Sequence, residues 1–486
     1  MLFRSRHERP ASSAISPGHS PQASPWQLNE SQAKAVETIR QARARKQHAA
    51  MVLHGVTGSG KTEVYIRAIE ETVAEGRQAI VLVPEISLTG QTRDRFLERF
   101  SRVAVLHSQL TDSERRKHWQ RIAAGEVDVV VGARSAIFAP TPKLGLIVID
   151  EEHDSSFKQD TAPRYHARDV ARHRAEYESI PVILGSATPS LETWYEVQSG
   201  KYTLLSLPDR VSNQTLPDVL LVDLRDARRA AGGQGAISRP LHEAMKEALA
   251  EGGQIILLMN RRGFSTNIQC PACGHAVRCP DCDVALTLHL SDSTIPPARG
   301  GGPARQRPPV RGSIALCHQC NYQISAPNRC PECSFEGIRF AGMGTQRLEQ
   351  EVRSLFPNTS LLRVDSDTMR QPGSHERAFA QFRAGEVRIM LGTQMIAKGL
   401  DFPNVTVVGV INADTALHMP DFRASERTFQ LVTQVAGRSG RSHRGGRVIV
   451  QTFTPDHAAI QRAADHDFLR FAADELTHRQ QFHFPP

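Results

Sequence analysis

The sequence predicts an α/β protein built from two parallel-sheet lobes, the second interrupted by a cysteine-rich insertion. Three observations carry that expectation. First, over residues 27–205, short apolar strands (MVLHG, AIVLVP, VAVLH, VDVVVG, LGLIVID, PVILGSA) alternate with helical stretches of mixed charge. That alternation is the signature of a parallel sheet covered by helices on both faces. Second, a similar alternation starts at QIILLMN and resumes with SLLRVDSD, VRIMLGTQ, VTVVGVINAD and GRVIVQTF. Third, all eight cysteines fall between Cys270 and Cys333, after the first strand of the second alternation and before the rest.

The chain has 486 residues, enough for about two to four domains. Residues 1–26 are Ser/Pro-rich and read as a disordered basic leader. The stretch LNESQAKAVETIRQA follows as a helix, capped by Asn29, with Ala33, Val36 and Ile39 on its apolar face. It opens lobe 1, expected over residues 27–205. Residues 206–265 hold a linker and the start of lobe 2, residues 266–338 the insertion, and residues 339–470 the continuation of lobe 2. Residues 471–486 read as the start of a truncated C-terminal region. Within the insertion, SDSTIPPARGGGPARQRPPVRGS has the composition of a flexible loop.

Net charge is +8 and the pI about 9.2, a balance that suits a polyanionic partner such as nucleic acid. No stretch approaches the roughly 18 uncharged apolar residues of a membrane span. The N-terminus lacks the apolar centre of a secretion signal. Clustered CxxC pairs in such a chain point to metal rather than disulfides, and to a reducing cytoplasm.

After the strand MVLH comes GVTGSGKT, and a helix follows directly. This fits G-x-x-x-x-G-K-[ST], a loop whose backbone N–H groups cradle phosphates. Gly55, Val56, Thr57, Gly58, Ser59 and Gly60 form the cradle. Lys61 is suited to neutralise the β- and γ-phosphates of ATP, and Thr62 to ligate Mg²⁺. Gln32, upstream on the first helix, is a candidate to read the adenine edge.

LGLIVIDEEH is a buried strand ending in acids. Asp150 is a candidate to hold Mg²⁺ through water, and Glu151 to deprotonate the attacking water. GSATPS, after another apolar strand, offers small hydroxyls that would link the nucleotide site to a nucleic-acid track. In the second alternation, QVAGRSGR puts Arg438 and Arg441 in a Gly-flanked turn, from which either can stabilise charge on a leaving phosphate. Spacing does not choose between them. The segment DSSFKQDTAPRYHARD mixes cations and rings at Lys158, Arg164, Tyr165, His166 and Arg168, a mixture suited to phosphate contact and base stacking.

The cysteines form four pairs: Cys270/Cys273, Cys279/Cys282, Cys317/Cys320 and Cys330/Cys333. Four such pairs supply two Cys₄ tetrahedra, which suits two structural Zn²⁺ ions better than an iron–sulfur cluster. Spacing leaves the pairing open between a sequential and a nested arrangement.

Taken in order, GVTGSGKTEVY, VPEISLT, ARSAIFAP, DEEHDSSFKQ, RYHARD, LGSATPS, NRRGF, GTQMIAKGLDFPNV, PDFRASERT and QVAGRSGR resemble the PriA family of replication-restart helicases. The resemblance covers residues 27–486. It implies two RecA-like helicase lobes and ATP-driven 3′–5′ unwinding or translocation at abandoned forks. It implies DNA with single-stranded arms, single-stranded DNA-binding protein and other primosome proteins as partners. It implies the nested zinc pairing and the roles given above to Lys61, Thr62, Asp150, Glu151, Arg438 and Arg441. It also implies that the N-terminal DNA-binding region usual in the family, and its continuation past FPP, fall outside this chain. A zinc-bearing DNA-binding scaffold without catalysis, and an RNA helicase, are the competing readings.

Overall fold

The computed structural model describes residues 26–85, 90–211, 216–226, 235–259, 268–289, 313–336, 338, 345–365, 368–369, 373–393, 396, 402–438 and 446–486. The expected leader, apart from Trp26, and most of the Gly/Pro/Arg-rich loop lie outside these residues.

Lobe 1 is built on β1 (Ala49–Gly55), β2 (Gln78–Leu82), β3 (Val103–Leu106), β4 (Val129–Gly132) and β5 (Leu144–Asp150). A short hairpin follows, β6 (Lys158–Gln159) with β7 (Tyr165–His166), and then β8 (Pro181–Ser186) and β9 (Thr203–Leu207). Seven of these form a parallel sheet in the order β3-β4-β2-β5-β8-β1-β9. Strands β2, β4 and β8 are buried at every position, which their unbroken apolar runs require when helices cover both faces. Asn29 and Gln32 begin the first helix, Glu30–Ala44, with reciprocal side-chain bonds to each other's backbone N–H.

Lobe 2 contains β10 (Asp218–Asp223), β11 (Gln254–Leu258), β15 (Leu361–Val364), β16 (Ile389–Gly392), β17 (Val405–Val410) and β18 (Arg447–Thr452). They too are parallel, ordered β10-β18-β17-β11-β16-β15. Between β11 and β15 lies the insertion, a small antiparallel sheet of β12 (Thr287–His289), β13 (Ile314–Leu316) and β14 (Gln323–Ser325).

The helix Phe468–Gln481 joins the three parts. Phe468 packs edge-on against Trp194 of lobe 1 at 5.1 Å, and Phe471 stacks on Phe429 of lobe 2 at 4.2 Å. His478 Nε2 meets Asp283 of the insertion at 3.0 Å. Arg479, 1% exposed, donates to Glu426 at 2.6 Å and lies 3.4 Å from Glu475. Residues 471–481 belong to this helix, and Phe484 beyond it stacks on Phe422 of lobe 2 at 4.9 Å.

Burial pushes the Glu475 carboxyl from an ordinary 4.5 up to about 7, against the pull of Arg479 and His478. The folded protein therefore keeps a proton that the unfolded chain releases first. Stability from this group is present at low pH and is lost as pH rises from about 4.5 to about 7. Glu475→Gln is expected to flatten that stretch of the Tm–pH curve and to melt a few degrees above wild type at pH 8. Identical curves for the two proteins would contradict the assignment.

Candidate nucleotide site at the interlobe cleft

The end of β1 and the helix Lys61–Ala74 hold the phosphate-type loop between them. Gly58 and Gly60 have φ of +87° and +81°, a region that side chains with a β-carbon rarely adopt. A β-carbon on Gly55 would run into Ser59 Oγ and lie 2.9 Å from Leu207. Ser59 N–H closes the turn on Val56 O at 3.0 Å, and Lys61 Nζ reaches back to Gly55 O at 2.8 Å. The helix axis points its positive end at the cradle, with Thr62 as its second residue. Gly55, Val56, Thr57, Gly58, Ser59, Gly60, Lys61 and Thr62 thus come together in this one turn and the start of the helix. Gln32 lies under the same loop, 3% exposed. Its Nε2 donates to Ser59 O at 2.8 Å and its Oε1 accepts from Asn29 N at 3.0 Å, so its amide is held at both ends by protein.

Two strands away, β5 ends at Asp150. Asp150 Oδ1 accepts from Tyr65 Oη at 3.2 Å and from Glu151 N at 3.1 Å. Burial raises the Asp150 carboxyl to about 6; the Glu151 charge adds to the rise and Lys61 opposes it. Lys61 and Asp150 are thus electrostatically linked across the cradle. Tyr65 fits because Gly185 of β8 lacks the β-carbon that its hydroxyl would strike. Glu151 sits at φ +50°, a left-handed conformation that costs a non-glycine residue roughly 1–2 kcal/mol. Glu152 N–H to Gly185 O at 3.0 Å fixes the turn that imposes it.

Glu152 is buried and fully engaged. It accepts from Ser190 N at 2.6 Å, Thr193 Oγ1 at 3.0 Å and Arg168 at 2.9 Å. Here the structure corrects the sequence reading: Arg168, grouped there with residues facing a polyanion, turns inward to Glu152, Ser190 and Thr193. A buried carboxylate needs a paired cation, and that need outweighs the pull of solvent on the guanidinium. Tyr165 stays near the surface, edge-on to the exposed Phe138 at 5.1 Å, with the Arg134 guanidinium 5.9 Å from its ring. His166 is spent as a helix cap on Arg168 N.

His153 spans the two lobes. Gln434 Nε2 donates to His153 Nε2 at 2.7 Å, which leaves Nδ1–H to donate to Ser186 Oγ, also at 2.7 Å. Ser186 and Thr188, from the small-hydroxyl motif, are therefore tied to the acidic turn and, through His153, to lobe 2. Both motifs are plain in the sequence, but nothing in it singles out His153, Gln434 or Tyr65. A bond between residues 281 apart leaves no spacing signal in one sequence.

Gln434 belongs to the helix Ala424–Ala436, which ends against the phosphate loop. A β-carbon on Gly437 would lie 2.7 Å from Thr57 Cγ2, so the turn bearing Arg438 sits directly on the cradle. Arg441 lies outside the described residues. The other end of this helix meets lobe 1 as well. Glu426 Oε1 accepts from Leu191 N at 3.0 Å, and Arg423 pairs with Glu192 at 2.7 Å.

In the insertion, Cys270, Cys273, Cys330 and Cys333 converge on one point and Cys279, Cys282, Cys317 and Cys320 on another, each set within 4.8 Å. This is the nested arrangement. Four similar turns build it: Cys270, Cys279, Cys317 and Cys330 each donate N–H to a carbonyl five residues on, at 2.8–2.9 Å. Each turn passes through a positive φ, at Gly274, Asp283, Asn321 and Ser334. Sulfur separations of 3.5–3.6 Å are close to the roughly 3.8 Å edge of a tetrahedron with 2.3 Å metal–sulfur bonds. Burial pushes the Cys273 and Cys279 thiols up to about 12 and about 11, so only a bound cation would hold them as thiolates. The donor set and geometry fit zinc. Gly274 lets the first turn lie against the Phe453 carbonyl of lobe 2.

Residues 29–197 match the DEAD/DEAH box helicase family, and residues 341–446 match the helicase conserved C-terminal domain. Among solved structures, RecG bound to a three-way DNA junction superposes with a TM-score of 0.51 at 16% identity, over 95% of this chain and 51% of that one. The helicase MrfA bound to DNA gives 0.52 at 14% identity, over 92% and 54%. These likenesses establish the two-lobed fold. No helix among the described residues is long and apolar enough to cross a membrane. The replication restart protein PriA of Bacillus subtilis is 48% identical over 95% of this chain, and that of Synechocystis 44% over 95%. The chain spans 55% and 54% of the lengths of those two relatives. The PriA of Treponema pallidum is 42% identical over 99% of this chain and 69% of its own length. With that coverage and the nested cysteine clusters in its second lobe, the chain belongs to the PriA family of replication restart proteins.

Proposed function

We propose that this chain is an ATP-driven DNA motor, moving 3′ to 5′ and opening forked DNA so that replication can restart. The observation that carries the reading is the meeting of both lobes at the phosphate loop, with Gly437 against Thr57 and His153 bonded to Gln434. A nucleotide held in that cleft would touch both lobes, so its hydrolysis can drive their relative motion.

In this reading the loop amides and Lys61 bind the β- and γ-phosphates. Thr62 and Asp150 hold Mg²⁺, whose charge offsets that of the phosphates. Glu151 takes the proton of the attacking water, and its oxygen Oε2 lies 3.7 Å from His153 Nδ1. Arg438, or Arg441 beyond it, stabilises charge on the departing phosphate. Gln32 steadies the loop through Ser59 O; to read an adenine edge its amide would have to exchange that bond or the one to Asn29 N. Lys158, Tyr165, Phe138 and Arg134 offer a cationic and aromatic surface suited to single-stranded DNA. Two zinc ions held by the cysteine clusters are structural, since four thiolates leave no open coordination position. Thiolate ligands suit a reducing cytoplasm. Single-stranded DNA-binding protein and other primosome proteins are the partners expected from the relatives' role in replication restart.

Two experiments test these assignments. Glu151→Gln should cut ATP hydrolysis about 10²- to 10⁴-fold while ADP still binds. Lys61→Ala should lose nucleotide binding itself, with zinc content and fold intact. Turnover at the wild-type rate in either variant contradicts the site. Metal analysis of Cys279→Ser/Cys317→Ser checks the zinc reading. With the nested clusters both substitutions fall in one site, so one zinc equivalent should remain; loss of both ions would show sequential pairing.

A further inference from the structure

A loop that turns successive N–H groups toward one centre turns its carbonyls outward. The segment that leaves β9 runs along that outer side. Val56 N donates to Leu207 O at 3.3 Å, Arg210 Nε to Thr57 O at 3.0 Å, and Val211 N to Gly58 O at 3.1 Å. Arg210 is 7% exposed, and its Cγ, Cδ and Nε lie 3.8–4.0 Å from the point where Gly58 would carry a β-carbon. Val211 Cγ2 lies 3.0 Å from the matching point on Gly60. The two left-handed glycines that shape the cradle are therefore both backed by this one segment.

The same segment is the covalent connection between lobes. It leaves lobe 1 at Leu207, and lobe 2 begins at Asp218, the first residue of β10, paired with Arg447 of β18. Thr57 is thus gripped twice. The interlobe connection holds its carbonyl through Arg210, and lobe 2 covers its side chain through Gly437.

We infer that Arg210 is a positioning residue of the nucleotide site, holding the phosphate loop in its anion-binding shape and tying that shape to the position of the second lobe. A charged donor on the Thr57 carbonyl polarises the peptide whose N–H belongs to Gly58, which makes that N–H a better donor to phosphate. Movement of lobe 2 would act on the loop through Arg210 and Val211. The inference rests on the reading of this loop as an ATP site.

The test is binding of a fluorescent ADP analogue with Mg²⁺, followed by steady-state ATP hydrolysis, for wild type, Arg210→Ala, Arg210→Gln and Arg210→Lys. Arg210→Ala should bind ADP about tenfold more weakly, the effect of losing one charge-assisted bond. Its KM for ATP should rise more than its kcat falls. Arg210→Lys, which keeps a charged donor, should recover part of the affinity. A role confined to fold stability would lower Tm and leave the Kd of the folded protein unchanged. If the alanine variant does not fold, Arg210→Gln keeps part of the stem and a neutral donor, and a Kd about threefold weaker than wild type is expected. Wild-type Kd in the folded alanine or glutamine variant overturns the inference alone. A wild-type protein that binds no ADP overturns it together with the reading of the site.

Discussion

A β-carbon on Gly437 would lie 2.7 Å from Thr57 Cγ2, and much of the interlobe geometry follows from how closely the Gly437 backbone approaches the Thr57 side chain. The helix Ala424–Ala436 sets the approach. At about 1.5 Å per residue, its 13 residues span roughly 20 Å. Near one end Glu426 accepts from Leu191 N; near the other Gln434 donates to His153, and Gly437 follows. Two contacts with lobe 1, at Glu426 and Gln434 about 12 Å apart along the axis, fix the helix in orientation as well as distance. Glu426 can serve as a buried anchor because both of its oxygens are engaged, the second by Arg479. Removing either partner would strand a buried charge, a change that typically costs about 3–5 kcal/mol.

The three acids of DEEH have different fates because their surroundings differ. Asp150 is half-buried beside Tyr65 and Glu151, and its carboxyl is raised against the pull of Lys61. Glu151 stands in a left-handed turn with His153 nearby. Glu152 points the other way, into a network with Arg168, Ser190 and Thr193 that anchors the start of the helix Leu191–Gln198. That helix carries Glu192 to Arg423 and Trp194 to Phe468. One short strand end therefore combines the proposed chemistry with the packing that joins the lobes. The insertion is held to lobe 2 at the close contact of Gly274 with Phe453 and where Gln269 meets Asp414 and His418, and to the helix Phe468–Gln481 at His478.

Much of this was legible in the sequence because local backbone geometry and local chemistry coincide there. GVTGSGKT states its own turn in glycines, LGLIVIDEEH states a buried strand and its exit, and the CxxC pairs state their ligands. What was not legible is contact across long separations. Spacing left the cysteine pairing open, and the folded turns resolve it as nested. The same limit hid the His153–Gln434 bond, the inward turn of Arg168 and the hold of Arg210 on Thr57. In each case a polar group is claimed by a partner in another element, and composition reports only its type. Gln32 shows a mixed case: its helix and cap were readable, but the bond that ties its amide to Ser59 was not.

The central claim is that the cleft between the lobes is a nucleotide-driven motor acting on DNA. The most direct measurement is steady-state ATP hydrolysis by the purified, zinc-loaded chain, alone, with forked DNA bearing single-stranded arms, and with RNA of the same sequence. The account predicts a rate at least about tenfold higher with the DNA, a barrier lowered by about 1.4 kcal/mol, and little change with RNA. An equal rate with and without DNA, in protein shown to be folded and able to bind ADP, would contradict it.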